Sequence, residues 1–273
     1  MTMSIDLEAV FPEREVIDAV ATYRSGDTHR PPLVLVHGWA ADAVLNWHVA
    51  LPDLTGWAVV APDLPGHGHT HANGPFSLDD CALAVAAVCD GLGIRDATMV
   101  GYSMGGPVVQ LLARDRPELV GGVVMAATAA RVMPSAVARH GLPLLAQSSR
   151  LGVEALTAAS KVLHPGSRLA AHALSTLHES DKGALVHAAS ELARFDSRLW
   201  VGSLGLTAAS VVTTKDHVVP TSAQLDLAAR LGVPESRTWR MEHGHLACLD
   251  HTFGRMIDDA ATAVLAAGAP RLT

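Results

Sequence analysis

Cysteine is scarce in this chain: three residues, at 81, 89 and 248, among 273. None forms a C-x-x-C pair, and an odd count in a chain of this size excludes a disulfide framework. Cys81 and Cys89 stand eight apart on an expected helix and so share a face, as buried free thiols would. Their reduced state fits a cytoplasmic location. Positive charge is scarce too. Lys and Arg number 20 against 27 acids, for a net charge of −7. The densest basic stretch, Arg114-Asp115-Arg116, carries its own acid, so it reads as a solvated helix face and a nucleic-acid partner is not expected. No run approaches the ~18 apolar residues that cross a bilayer, so no stable membrane insertion is expected. Residues 1–15 mix Asp, Glu and Arg without the apolar run of a secretory signal. Nothing in the sequence signals for or against self-association.

What is present is apolar bulk, 49% of residues with 17% charged, enough to bury a sizeable core. Five apolar runs end in turn residues: Leu33 to Val36, Ala58 to Ala61, Ala97 to Val100, Gly122 to Met125, and Ala208 to Thr213. Continuous apolar runs of this length predict strands covered on both faces, hence a parallel sheet. Helical patterns fall between them, from about Leu78 to Leu92, with Ser77 as N-cap and Asp79 and Asp80 suited to the dipole, and from Met104 to Arg116 before Pro117. Two more run over Ser222 to Leu231 and Thr252 to Ala267. The alternation predicts an α/β fold with a mostly parallel, doubly wound sheet. Residues 130–197 break it. They offer no convincing strand but three helical patches, Gly152 to Leu163, Ser167 to His178 and Lys182 to Phe195. The expected organisation is a core of residues 1–129 and 198–273 with a helical cap or lid over 130–197.

The segment Val100-Gly101-Tyr102-Ser103-Met104-Gly105-Gly106 holds Gly-x-Ser-x-Gly between an expected strand and an expected helix. A strand-to-helix elbow needs small residues two before and two after its apex. It projects the serine hydroxyl from the strand's carboxyl end, beside unpaired N–H groups of the first helical turn. A serine hydroxyl is a weak nucleophile until a base, commonly a histidine oriented by a carboxylate, takes its proton.

The order of landmarks, Val36-His37-Gly38-Trp39, then Asp63-Leu64-Pro65-Gly66-His67-Gly68, then the serine elbow, then an Asp and a His near the end, resembles the α/β-hydrolase superfamily, in particular its lidded esterase-like and lipase-like members. The likeness covers about Pro31 to Ala267. It implies the chain order Ser, acid, His. His245, in the Gly-His loop Glu242-His243-Gly244-His245 before the last helix, is the implied base, with His243 and His251 as rivals. Asp216, after the strand ending at Thr213 and before Val218-Val219-Pro220, is the implied acid; Asp196 comes too early and Asp250 follows the histidine. The implied oxyanion hole is the backbone N–H pair of Trp39 and Met104. Trp39 and Tyr102 are candidates for the substrate pocket, and Trp39 and Trp47 read equally well as core aromatics. The Asp63 to Gly68 loop is implied to be structural.

His67, His69 and His71 alternate, but no Cys pair or His-Glu-x-x-His accompanies them, so neither metal nor cofactor is expected. Serine at 103, where epoxide hydrolases and haloalkane dehalogenases carry Asp and dienelactone-hydrolase-like proteins carry Cys, sets those chemistries aside. The expectation is a serine hydrolase that cleaves a carboxylic ester through an acyl-enzyme, acting on a small, apolar acyl substrate. Thioester, lactone and C–C hydrolysis by the same triad are alternatives. So is, from another class, a ligand receptor or sensor with slow turnover.

Overall fold

The computed structural model describes residues 13–132, 172, 175, 176 and 180–268. Eight strands form one sheet: β1 (Glu13–Ile17), β2 (Val20–Ser25), β3 (Pro32–Val36), β4 (Ala58–Pro62), β5 (Ala97–Tyr102), β6 (Val120–Ala126), β7 (Ala208–Thr213) and β8 (Thr238–Met241). Their spatial order is β1-β2-β4-β3-β5-β6-β7-β8. β1 and β2 pair antiparallel with each other, as β2 does with β4, and every later pairing is parallel.

The apolar runs predicted as strands are strands, because each residue along them has a buried face to meet. On β3, Val34 and Val36 enter one core layer while Leu33 and Leu35 enter the other, as the two-residue period of a strand dictates. The first layer lies under α2 (Leu78–Gly91), α3 (Gly105–Asp115) and α5 (Thr221–Arg230); the second lies under α1 (Ala43–Trp47) and α6 (Phe253–Gly268). Helices cover both faces, which is the doubly wound arrangement. Caps fix the helix starts: Ser77 Oγ accepts the Asp80 N–H at 3.2 Å, with Asp79 and Asp80 in the first turn of α2.

The β1–β2 hairpin was not expected from the sequence. Its two-residue turn, Asp18-Ala19, has φ of 48° and 65° at the two positions. Such a turn ordinarily announces itself by Asn-Gly or Asp-Gly, and here an alanine occupies the second position.

Of the expected cap helices, residues 152–163 lie outside the described residues. Within 167–178 only His172, Ser175 and Thr176 are described, each helical. The third helix is α4 (Lys182–Arg194), started by Asp181, whose carboxylate accepts the Gly183 N–H at 2.7 Å. Ala184, Ala188 and Leu192 of α4 join the core layer beneath α2 and α3. The excursion between β6 and β7 is clasped at its neck. Ser197 N–H donates to the Ala130 carbonyl at 2.9 Å, and Ser197 Oγ donates to Gln110 Oε1 on α3.

Candidate active site

Ser103 follows the last residue of β5 and has φ of 51°, the left-handed region, which disfavours a residue with a side chain by about 1 kcal/mol or more. The turn is held open to it by its neighbours. A side-chain carbon on Gly105 would lie 2.2 Å from the Val36 carbonyl oxygen, and one on Gly101 would lie 2.7 Å from that of Gly105. Both positions therefore require glycine if strand and helix are to meet this closely. Ser103 N–H donates to the Ala126 carbonyl at 3.0 Å, and the Ser103 carbonyl accepts Thr128 Oγ1–H at 2.7 Å.

Ser103 Oγ stands 2.9 Å from His245 Nε2, and His245 Nδ1 stands 2.8 Å from Asp216 Oδ2. The carboxylate accepts, so Nδ1 carries the proton and Nε2 presents its lone pair to the hydroxyl. Asp216 is nearly fully buried, and its oxygens are all engaged. Oδ1 accepts the N–H groups of Val218 and Val219 at 2.8 and 2.9 Å; Oδ2 also accepts Thr213 Oγ1–H at 2.8 Å. Burial alone would raise the Asp216 pKa, but the hydrogen bonds from His245 and from the Val219 N–H outweigh it and the net shift is downward. A carboxylate so held stays ionised and fixes both the tautomer and the plane of the imidazole.

The rivals lie elsewhere. His243 Nδ1 donates to the Gly244 carbonyl at 3.1 Å, and His251 is exposed beside Asp250. Asp196 pairs with Arg198 at 2.6 Å, and Asp250 caps Thr252.

The Gly38–Trp39 turn faces Ser103: a side-chain carbon on Gly38 would lie 3.3 Å from Ser103 Cβ. Its orientation is set by a residue to which the sequence assigned no role, His37. Buried His37 accepts the Leu64 N–H on Nε2 at 2.9 Å, so its proton is on Nδ1, which donates to the Gly38 carbonyl at 2.8 Å. In a trans peptide the carbonyl and the following N–H point in opposite directions. Holding the Gly38 carbonyl against His37 therefore turns the Trp39 N–H the other way. Burial lowers the His37 pKa and keeps this tautomer neutral. Asn46 Oδ1 accepts the Gly38 N–H at 3.0 Å and fixes the preceding peptide. Met104, fully buried, supplies the N–H after the serine at the start of α3. Neither the Trp39 nor the Met104 N–H has an acceptor among the described residues.

Of the pocket candidates, Trp39 is 38% exposed and its indole N–H donates to the Leu185 carbonyl of α4 at 2.9 Å. It stands between the turn and α4. Among the described residues Tyr102 belongs to the core and not to a pocket wall. It is 3% exposed and packs edge-on against Trp47 and Phe253 in the second core layer. Strand alternation explains the correction: Tyr102 points the same way as Val100, into the core. Trp47 is a core aromatic, fully buried and stacked on Phe253 at 6.0 Å.

The Asp63 carboxylate is buried and accepts the N–H groups of Ala43 and His69, each at 2.9 Å, which ties the loop to α1. Among the described residues no group of His, Cys, Asp or Glu could hold a metal ion. Likewise no helix among them is long and apolar enough to cross a membrane. All three cysteines are buried and free.

A mostly parallel sheet with a serine elbow at its carboxyl edge defines a hydrolase architecture. The model of the family described as alpha/beta hydrolase fold matches residues 31–178, more than half of the chain, and the chain belongs to this family. It is 38% identical to a pyrrolizixenacetamide deacetylase of Xenorhabdus hominickii over 101 residues, 36% of this chain and 38% of that protein. Over 213 residues it is 30% identical to a pimeloyl-[acyl-carrier protein] methyl ester esterase of Chromobacterium violaceum, 74% of this chain and 82% of that protein. The chain thus spans well under half the length of the first of these relatives. Among solved structures, the enol-lactonase of Burkholderia xenovorans LB400 superposes with a TM-score of 0.76 at 20% identity, covering 92% of this chain and 100% of that one.

Proposed function

We propose that the protein is a serine hydrolase that cleaves a carboxylic ester through an acyl-enzyme intermediate. The observation that carries this reading is the unbroken row from Ser103 Oγ through the His245 imidazole to the Asp216 carboxylate, at 2.9 and 2.8 Å. Names of relatives support it: a methyl ester esterase and a deacetylase both break acyl bonds.

In the proposed reaction Ser103 Oγ attacks the acyl carbonyl while His245 Nε2 takes its proton. The negative oxygen that forms is met by the N–H groups of Trp39 and Met104, each donor of this kind being worth about 3 kcal/mol. The imidazolium, stabilised by Asp216, returns the proton to the leaving alcohol. Water then repeats the sequence on the acyl-enzyme and releases the acid. Each step uses a group of this chain.

The substrate we propose is small and apolar. Trp39, Val218 and Leu246 are among the exposed large apolar side chains. They belong to the proposed oxyanion turn, the Asp216 loop and the residue after His245, each adjoining a member of the site. Residues 130–197 serve as its cap, with the Trp39–Leu185 hydrogen bond joining cap to core. The buried, reduced thiols suit a cytoplasmic enzyme.

The test is turnover of p-nitrophenyl esters of increasing chain length, with labelling by a fluorophosphonate. Wild type hydrolyses the esters and is labelled at Ser103. Ser103→Ala and His245→Ala lose about 10⁴-fold or more in kcat and remain folded. Labelling at another residue, or retained turnover in Ser103→Ala, would overturn the reading.

A further inference from the structure

Tyr102 is joined to Ser103 by one peptide bond, yet its hydroxyl lies at the other half of the site. It donates to the backbone carbonyl of His245 and accepts the Cys248 N–H at 3.4 Å. Its ring is clamped edge-on by Trp47 at 6.2 Å and by Phe253 at 5.5 Å. The two ends of this side chain therefore touch the two elements whose separation matters. At one end is the elbow on central strand β5. At the other is the loop between β8 and the short turn Ala247–Leu249 that carries His245.

The loop needs such a tie. His245 follows Gly244, and among the described residues β8 is the edge strand of the sheet, paired on its β7 side alone. Asp216 and Ser103 hold the imidazole, but both bonds end on the ring. The Tyr102 hydroxyl holds the backbone from which the ring hangs. Burial raises the Tyr102 pKa well above its ordinary value, so the phenol keeps its proton and remains a donor. A phenylalanine would fill the same space between Trp47 and Phe253 and keep the ring contact with His245 at 6.1 Å; the hydroxyl is what binds the loop's backbone.

We propose that Tyr102 is a positioning residue, a rigid strut that sets the distance between nucleophile and base by fastening the backbone of His245 to the strand that bears Ser103. This rests on the reading of Ser103 as nucleophile and His245 as base.

Three variants test it, each followed by kcat, KM, the rate of fluorophosphonate labelling and a urea melt. Tyr102→Phe is expected to lower kcat and the labelling rate by about 10- to 100-fold, the scale of a sub-ångström to 1 Å misplacement, with KM within about twofold. Replacing Tyr102 by 4-aminophenylalanine, which restores an N–H donor at the same reach, is expected to recover most of the loss. Tyr23→Phe removes the chain's only other phenol hydroxyl, which lies beside Asp63 and His69, and is expected to keep kcat within about twofold.

Turnover and labelling within twofold of wild type in folded Tyr102→Phe would overturn the proposal. So would failure of the amino variant to exceed the Phe variant, or an equal loss in Tyr23→Phe. Should Tyr102→Phe not fold, the amino variant decides alone: near-wild-type rates support the strut, and a folded but slow protein refutes it. Failure of the underlying reading would look different, since Ser103→Ala would then still turn over.

Discussion

Acid should weaken this fold through its buried imidazoles, and the contribution of His67 can be isolated. His67 is fully buried between His37, at a ring separation of 5.4 Å, and Phe76, at 5.7 Å. Its Nδ1 donates to the Pro65 carbonyl at 3.2 Å, and its Nε2 is buried without a hydrogen-bond partner among the described residues. Protonation would place a charged N–H where nothing accepts it. Burial first, and then the neighbouring His37, push the His67 pKa down from 6.5 to about 3. The sign follows from which state binds the proton first. Below about pH 6.5 the unfolded chain takes it and the folded chain does not, so stability is fully present above that value and is lost as pH falls toward 3. At 1.36 kcal/mol per unit, a drop to about pH 5 removes about 2 kcal/mol, a large share of the 5–15 kcal/mol typical of a domain. Urea melts of wild type and His67→Leu at about pH 7 and pH 5 measure this. The leucine variant also loses the bond to Pro65, but that penalty is the same at both pH values and cancels in the comparison. Wild type should lose about 2 kcal/mol more than the variant on acidification. Equal losses in the two proteins would refute the argument.

Two further substitutions follow from the site. In Asp216→Asn the amide can still accept the Val218 and Val219 N–H groups, but its NH₂ then faces His245 Nδ1. The imidazole must flip its proton to Nε2, where it cannot take one from Ser103. Steady-state kinetics should give a kcat lower by about 10⁴-fold with the fold intact, and a loss below about tenfold would remove Asp216 from the row. Gly105→Ala places a carbon 2.2 Å from the Val36 oxygen and 2.9 Å from that of His37. Both are backbone atoms, one at the end of β3 and one just after it, so a melt should show destabilisation of about 2 kcal/mol or more, and an unchanged midpoint would show that the elbow has room to spare.

What was legible in the sequence was what repeats or what sits in a bounded motif. The five apolar runs became β3 to β7 because parallel strands are covered on both faces and cannot alternate polar with apolar. The elbow was legible because glycines flank its serine; the loops of Asp216 and His245 were legible only through the resemblance to the α/β-hydrolase superfamily. The supporting groups were not, because they act on backbone atoms. His37 grips a carbonyl, Asn46 an N–H, and Thr128 the carbonyl of Ser103 itself. Gln224 leaves a faint trace as a buried amide on α5, where its side chain accepts the Thr213 N–H at 3.0 Å. Tyr102 lies with Val100 in the second core layer, as counting by twos along β5 gives.

The neck at Ala130 and Ser197 has a consequence for how this protein could acquire new preferences. Both ends of the excursion emerge from one hydrogen-bonded clasp, anchored on α3 behind the elbow. Chain inserted between the clasp and α4 enters after β6 is complete and before β7 begins, so the registers of β6 on β5 and of β7 on β6 do not depend on it. The cap we propose is thereby joined to the sheet at this clasp and through α4, whose Ala184, Ala188 and Leu192 belong to the core. A graft of a foreign segment between Ala130 and Ser197 that keeps α4 should retune which molecules enter while the proton relay runs as before.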